Sequence, residues 1–145
     1  IIILRPFNIY GYGQSPNFLI PEILEKALAG EVVELLDASP KRDMVYVEDV
    51  VDAYIAAIDS EMNYGIFNVG SGLSYTVEQI AQLVIKNLGK NNTVLFKNEE
   101  RMNEVDNVIA DVSKIKRMLN WQPITTLNDG ICKTVKFYKE RSGRI

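Results

Sequence analysis

Apolar residues recur along the chain in two alternating patterns, short continuous runs and longer stretches at helical spacing. The short runs are typical of buried strands, and they occupy 1–4, 32–36, 43–47, 64–70 and 93–96, with a very short candidate at 108–110. The longer stretches between them predict amphipathic helices over 17–30, 48–59, 76–89, 112–120 and from Thr125 or Thr126 onward. Alternation of strands and helices predicts an α/β fold.

Local signals set the predicted helix boundaries. Gly30 and Gly89 end the first and third helices, and Thr76 with Gln79 forms a capping box at the start of the third. Asp111 is the expected cap of the fourth. The second helix places six apolar residues on one face, namely Val47, Val50, Val51, Tyr54, Ile55 and Ile58. Glu48 and Asp49 fall in its first turn, where Asp49 is expected to cap rather than catalyse.

The first strand, Ile1 to Leu4, is apolar on both of its alternating faces. That pattern is typical of an inner strand in a parallel sheet covered on both sides. Ile66 to Val69 has the same character, and parallel neighbours need a crossover connection between them. The two strands therefore predict a sheet larger than the chain itself supplies.

Composition narrows the classes of function. The chain has 145 residues, enough for one domain, with a net charge of -3 and a pI near 5.0. This balance provides no basic field for nucleic acid or an anionic membrane, and no apolar run approaches the roughly 20 residues that span a bilayer. Any bound anion must be held by a few placed cations.

The cysteine and histidine counts exclude further chemistry. The single Cys132 rules out an internal disulfide, is expected to be buried, and fits a reducing, cytoplasmic setting. The absence of His removes the commonest general base and metal ligand. The segment NVGSGLSYT lacks the third glycine of a dinucleotide-binding loop, since Tyr75 stands in its place, so its glycines are predicted only to form a turn.

Four segments in fixed order resemble the C-terminal part of a known family. They are RPFNIYG at 5–11, KRDMVYVEDVVDA at 41–53, YGIFNVGSG at 64–72 and ADVSKIKRMLNWQP at 110–123. Together they are similar to the extended short-chain dehydrogenases/reductases, the NAD-dependent nucleotide-sugar epimerases and dehydratases. The resemblance implies an α/β fold comprising the C-terminal strands of a Rossmann-type parallel sheet and a small helix-rich substrate-binding domain, with the cofactor-binding part upstream.

The resemblance implies a site for a nucleotide-diphosphate sugar. Arg42 matches the arginine that contacts the diphosphate, a role that suits a planar guanidinium with paired donors. The alternative is a surface arginine paired with Asp43. Arg101 and Glu104 are similar to a second phosphate-binding arginine and an acid near the ribose, with a solvated loop arginine as the alternative for Arg101.

The remaining positions follow from the same resemblance. Asn8 is similar to an asparagine beside the sugar and its phosphate, and its alternative is an amide satisfying backbone groups in a turn. Pro6 matches the position whose backbone approaches the nicotinamide. Phe18, Leu19 and Leu36 match the lining of the base pocket, although apolar residues at such spacing are more often core. The segment DASPK replaces a glycine-rich turn common in the family, and Trp121 is expected to anchor the terminal helices.

For the complete enzyme, the resemblance implies NAD or NADP bound mainly by the N-terminal portion, a homodimer, and epimerisation or 4,6-dehydration of the sugar. The family's Tyr-x-x-x-Lys pair has no match, because no tyrosine here is followed four residues later by lysine. Residues 1–145 are accordingly predicted to be one substrate-binding fragment that turns nothing over by itself. The alternative is a self-contained, non-catalytic nucleotide-binding or assembly module.

Overall fold

The computed structural model describes residues 1–99, 104–141 and 143. Strands and helices alternate along these residues, as the apolar pattern predicts. The strands are β1 (Ile2–Pro6), β2 (Asn8–Tyr10), β3 (Val33–Leu35), β4 (Lys41–Tyr46), β5 (Gly65–Val69), β6 (Ser74–Thr76), β7 (Val94–Phe96) and β8 (Asn107–Val108). The helices are α1 (Leu19–Ala29), α2 (Val47–Ile58), α3 (Val77–Leu88), α4 (Ser113–Leu119) and α5 (Leu127–Arg141).

The two apolar strands predicted to share a parallel sheet do so. β1 pairs with β5 in parallel, with Ile2 opposite Gly65 and Pro6 opposite Val69. A second sheet is centred on β4, which pairs in parallel with β2 and β8 and antiparallel with β6, while β3 and β7 form a separate parallel pair. The sequence predicted neither β2 nor β6, because both are only three residues long and neither contains a continuous apolar run; each pairs with β4.

Two apolar clusters hold these layers together. The larger one joins α1, α3 and α5 to the β2–β4 side, with Ile23, Val84 and Ile131 fully buried. The smaller one lies between β5, α2 and α4 and includes Phe67 and Trp121. The chain crosses from the first sheet to the second at Phe7. The C-terminal end of β1 and the start of β2 are therefore separated by one residue.

Most predicted helix boundaries are confirmed. Thr76 and Gln79 form the capping box, with hydrogen bonds of 3.0 and 2.9 Å, and Gly30 follows the end of α1. Thr126 Oγ1 accepts from the backbone N–H of Asp129 at 3.2 Å and begins α5. Thr125, the other candidate cap, instead donates hydrogen bonds to the Asp49 carboxylate. A tertiary contact therefore decides which of the two adjacent threonines caps α5.

That tertiary contact corrects the prediction for Asp49. The carboxylate does not cap α2; it accepts hydrogen bonds from the backbone N–H of Ile124 (3.3 Å) and from the N–H and hydroxyl of Thr125 (3.1 and 3.2 Å). Asp49 is almost fully buried, at 1% exposure. It therefore ties the segment before α5 to the first turn of α2, and its role remains structural.

The prediction of a buried thiol at Cys132 is wrong, because the residue is exposed on α5. The apolar character of its neighbours misled the prediction: Ile131 and Val135 face the core, and Cys132 lies on the turn between them that faces outward. Helical periodicity places one residue after a core position away from the core.

The apolar face predicted for α2 is only partly buried. Val50 contacts the core, whereas Val51, Tyr54, Ile55 and Ile58 are 50–79% exposed. On the adjoining sheet, Ile1 and Ile3 are also exposed, and within the described residues β1 pairs on one edge only. A contiguous apolar stripe of this kind is typical of a surface that contacts another protein segment.

Tyr10 links the second sheet to α5 and gives the fold a pH dependence. Burial raises the pKa of its phenol well above the usual value of 10, and its hydroxyl donates to Leu127 O at 3.3 Å. The folded state therefore keeps a proton that the unfolded state loses above about pH 10, so stability is intact below that pH and falls as the pH rises, by about 1.4 kcal/mol per pH unit.

We expect Tyr10→Phe to lessen this alkaline loss of stability, since Tyr46 and Tyr138, whose pKa values burial also raises, keep their share. Denaturant unfolding of the wild type and the variant between pH 8 and pH 11 measures it, with the exposed Tyr64→Phe as the matched control. Equal alkaline slopes for Tyr10→Phe and the wild type would show that Tyr10 is not the titrating group.

Candidate functional site

A large cavity opens beside β2 and β4, at the start of α1. Its volume is about 1060 Å³. Every described residue that the resemblance assigns to substrate or cofactor lines it: Pro6, Asn8, Phe18, Leu19, Leu36, Arg42 and Glu104. Arg101 lies outside the described residues. Segments far apart in sequence thus converge on one space, because β2 and β4 are neighbours in the sheet and β3 leads into β4.

Arg42 lies in the wall of this cavity near the start of β4. Its Nη1 donates to the carbonyls of Lys41 and Val105, both at 2.8 Å, and its Nη2 forms a 2.5 Å ion pair with Glu104. Both side chains are about one-fifth exposed. The alternative partner, Asp43, is not used. The guanidinium is therefore held in a fixed plane, with a cation and an acid side by side at the cavity surface.

Asn8 stands opposite Met44 in the register of β2 and β4. Its Nδ2 donates to the backbone carbonyl of Asp43 at 2.9 Å, so the amide does satisfy a backbone group, as the alternative interpretation predicted. It lines the cavity as well. The contact fixes the direction of the amide, and the two interpretations of Asn8 are compatible.

The apolar end of the cavity is exposed rather than core. Phe18 is 55% exposed and Leu36 is 36% exposed, while Leu19 is half-buried against the larger cluster. Simple core packing does not account for Phe18 or Leu36. Their exposure leaves an apolar wall that a flat ring can contact.

Two lysines, Lys26 and Lys97, also line the cavity, and each is paired with a glutamate, as Arg42 is. Lys26 contacts Glu22 at 2.6 Å, and Lys97 contacts Glu34 at 3.2 Å. Both lysines lie beside Glu34 of β3, since Lys26 Nζ also donates to the Glu34 carbonyl at 3.3 Å. Arg42 lies on β4, the strand that pairs with β2, so it is the lining cation that shares a sheet with Asn8.

Asp43 was not assigned a role from the sequence, yet its carboxylate joins the turn at Ser71 and Gly72 to the segment before α4. Its carboxylate is fully buried and accepts from Ser71 N–H (2.6 Å), Ser71 Oγ–H (2.7 Å), Gly72 N–H (2.9 Å) and Ala110 N–H (3.0 Å). Gly70 is required beside it, since a Cβ there would lie 2.4 Å from the Ala110 side chain. The backbone N–H groups of Ser71 and Gly72 are thus occupied by a carboxylate of the protein. This supports the prediction that the glycines of NVGSG form a turn and not a cofactor loop.

No group of three or more potential metal ligands occurs within residues 1–99, 104–141 and 143. Among the helices of the same ranges, none has both the length and the apolar character needed to cross a bilayer.

Comparison with known proteins shows which family the chain resembles. Residues 1–70 match the model of the NAD dependent epimerase/dehydratase family. The chain is thus similar to the NAD-dependent epimerases and dehydratases. It is 31% identical over 139 residues to dTDP-4-dehydro-6-deoxyglucose reductase of Escherichia coli, covering 93% of this chain and 44% of that protein. It is 30% identical over 143 residues to UDP-glucose 4-epimerase of Mycolicibacterium smegmatis, covering 96% and 45%.

Solved structures give the same relationship. A UDP-glucose 4-epimerase from Thermotoga maritima, solved with UDP-glucose, superposes with a TM-score of 0.86 at 32% identity over 97% of this chain and 46% of that one. A dTDP-glucose 4,6-dehydratase from Bacillus anthracis, solved with NAD, gives 0.88 at 25% identity over 99% and 46%. The family resemblance and the Rossmann-type α/β fold are therefore confirmed, and the chain spans somewhat less than half the length of these relatives.

Proposed function

We propose that the chain is the substrate-binding portion of an NAD(P)-dependent nucleotide-sugar epimerase or dehydratase, and that its cavity binds the nucleotide diphosphate. One observation carries the proposal. Seven residues chosen from sequence resemblance alone line one cavity of about 1060 Å³, which is large enough for a nucleotide sugar.

Each part of the cavity suits one part of that ligand. The planar guanidinium of Arg42 offers donors that match phosphate oxygens. Glu104, which holds Arg42 through Oε1, keeps a second carboxylate oxygen for a ribose hydroxyl. The exposed ring of Phe18 and the branched side chain of Leu36 offer the base an apolar surface. Asn8 then lies on the sugar side.

The proposed reaction needs NAD or NADP as the hydride carrier. Pro6, which lines the cavity, is the one contact with the cofactor that we propose for the described residues. We assign the cofactor to an N-terminal portion of the complete enzyme. The same portion would cover the exposed stripe on α2 and the free edge of β1, and the dimer contacts are proposed to involve it too.

Binding of the substrate at a distance from the reacting carbon still contributes to the rate. Contacts to the diphosphate and base position the sugar, so that proton and hydride transfer occur from a fixed geometry. The chain by itself supplies no tyrosine–lysine pair, and we propose that it turns nothing over alone.

We expect Arg42→Ala to weaken binding of nucleoside diphosphates by about 1.5 to 3 kcal/mol, or roughly 10- to 150-fold in Kd. Titration calorimetry of the full-length protein with UDP, dTDP, GDP and CDP, and with their glucose derivatives, measures this. Arg42→Lys should recover only part of the loss, because an ammonium lacks the planar pair of donors.

The matched control is Arg117→Ala, which removes an exposed arginine of α4 that does not line the large cavity. Glu104→Gln separates loss of the arginine from loss of its partner, since it leaves Arg42 in place. Equal nucleotide affinity in Arg42→Ala and the wild type would refute the proposed role of Arg42.

A further inference from the structure

Part of the cavity wall comes from the outer face of β3 and β7. Glu34 of β3 stands opposite Leu95 of β7 in this parallel pair. Leu36 and Lys97 directly follow the two strands, and alternation along a strand places both on the same face as Glu34 and Leu95. All four residues are exposed. Three of them, Glu34, Leu36 and Lys97, line the cavity, so an acid, an apolar side chain and a lysine share one surface.

Backbone hydrogen bonds hold Lys97 beside Leu36. The N–H of Lys97 donates to the Leu35 carbonyl at 3.0 Å, and the N–H of Glu99 donates to the Leu36 carbonyl at 3.1 Å. The residues that follow β7 therefore run alongside Leu36. Because Leu36 and Phe18 form the apolar wall proposed for the nucleotide base, Lys97 stands at the edge of that wall.

The ammonium of Lys97 keeps donors for a ligand. Its Nζ forms an ion pair with Glu34 Oε2 at 3.2 Å, and this is its one side-chain partner among the described residues. An ammonium carries three N–H donors, so a single carboxylate oxygen leaves the others unused. Lys26, by contrast, has two partners, the Glu22 carboxylate and the Glu34 carbonyl. Lys97 is therefore the lysine of this wall with more capacity to bind a ligand oxygen.

We propose that Lys97 donates a hydrogen bond to a ring carbonyl of the nucleotide base, so that the cavity prefers uracil, thymine or guanine to cytosine or adenine. The inference rests on the proposed function, because it assigns a contact within the nucleotide site. An ammonium has donors and no acceptor, so a ring carbonyl satisfies it, whereas an amino group at the same ring position does not. A site that hydrogen-bonds one group of a ligand discriminates against analogues that lack that group.

Three pairs of nucleotides test this contact, since each pair exchanges a ring carbonyl for an amino group: UDP with CDP, dTDP with dCDP, and GDP with ADP. Titration calorimetry of the full-length wild type identifies the pair that contains the tightest ligand. We expect its carbonyl member to bind about threefold or more tightly than its amino member. Lys97→Met should raise the Kd of the carbonyl member about three- to tenfold and change that of the amino member less than about twofold.

The matched control is Lys133→Met. It breaks the ion pair of Lys133 with Glu48, whose side chains are 51% and 48% exposed, against 48% and 53% for Lys97 and Glu34. Neither Lys133 nor Glu48 lines the large cavity, so every Kd should stay at the wild-type value. If Lys97→Met lowers Tm more than this control does, Lys97→Ala takes its place under the same criteria.

Several results would overturn the base contact while the proposed function stands. An equal rise in Kd for both members of the pair would place Lys97 at the ribose or the diphosphate, which both members share. Unchanged Kd for both would remove Lys97 from the nucleotide site, and a wild type that binds the amino member as tightly as the carbonyl member would remove the preference. A wild type that binds none of the six nucleotides overturns the proposed function and this inference with it.

Discussion

Replacing Asp43 by asparagine should lower the free energy of unfolding by about 3 kcal/mol, although the two side chains have nearly the same shape. The carboxylate accepts three backbone N–H groups and one hydroxyl from two separate loops. An amide has only one oxygen, so its NH₂ group must face a backbone N–H in either orientation. Loss of two acceptor contacts and the closeness of two donors both destabilise the folded state.

Guanidinium unfolding followed by circular dichroism measures the effect. Asp52→Asn is the matched control, because Asp52 is exposed on α2 and its replacement should change stability by less than about 0.5 kcal/mol. A loss below about 1 kcal/mol in Asp43→Asn would mean that the loops are held by other contacts.

The second large effect is expected at Trp121. Its ring is 5% exposed within the smaller apolar cluster, and its Nε1–H donates to the Asp49 carbonyl at 3.0 Å. Trp121→Ala should cost about 3 to 5 kcal/mol, since it leaves a cavity between α2 and α4. Trp121→Phe should cost about 1 to 2 kcal/mol, through the lost indole hydrogen bond and the smaller ring.

The order of these two variants is the informative result. If Trp121→Phe were as damaging as Trp121→Ala, the hydrogen bond to Asp49 would dominate and the packing term would be small. Tyr64→Ala, which truncates an aromatic side chain that is 66% exposed, controls for loss of an aromatic group at the surface. Thermal and denaturant unfolding should rank the three variants identically.

The fold was predictable where a segment's own residues decide its structure. Runs such as 1–4 and 66–69 became the parallel pair β1 and β5, and the Thr76–Gln79 capping box begins α3 as expected. Prediction failed where a partner distant in sequence decides. β2 and β6 exist because β4 lies between them, and Asp49 binds Thr125, 76 residues away, in place of its own helix.

The residues of the candidate site also fall into those that the sequence predicted and those that only the structure shows. Arg42 and Asn8 were predicted by resemblance of short motifs, and the structure brings them to one cavity, although their binding roles remain predictions. Asp43 was missed because an acid after an arginine gives no sign of the loops it holds, and its partners lie 28 and 67 residues away in sequence.

The turn at Gly70–Gly72 has a final consequence for where anions can bind. Turns whose N–H groups converge ordinarily attract phosphate from solution. Here the carboxylate of Asp43 is tethered at that position, at an effective concentration that free phosphate does not reach. The N–H groups of Ser71 and Gly72 are therefore already paired with a carboxylate of the protein itself and are not open to a phosphate.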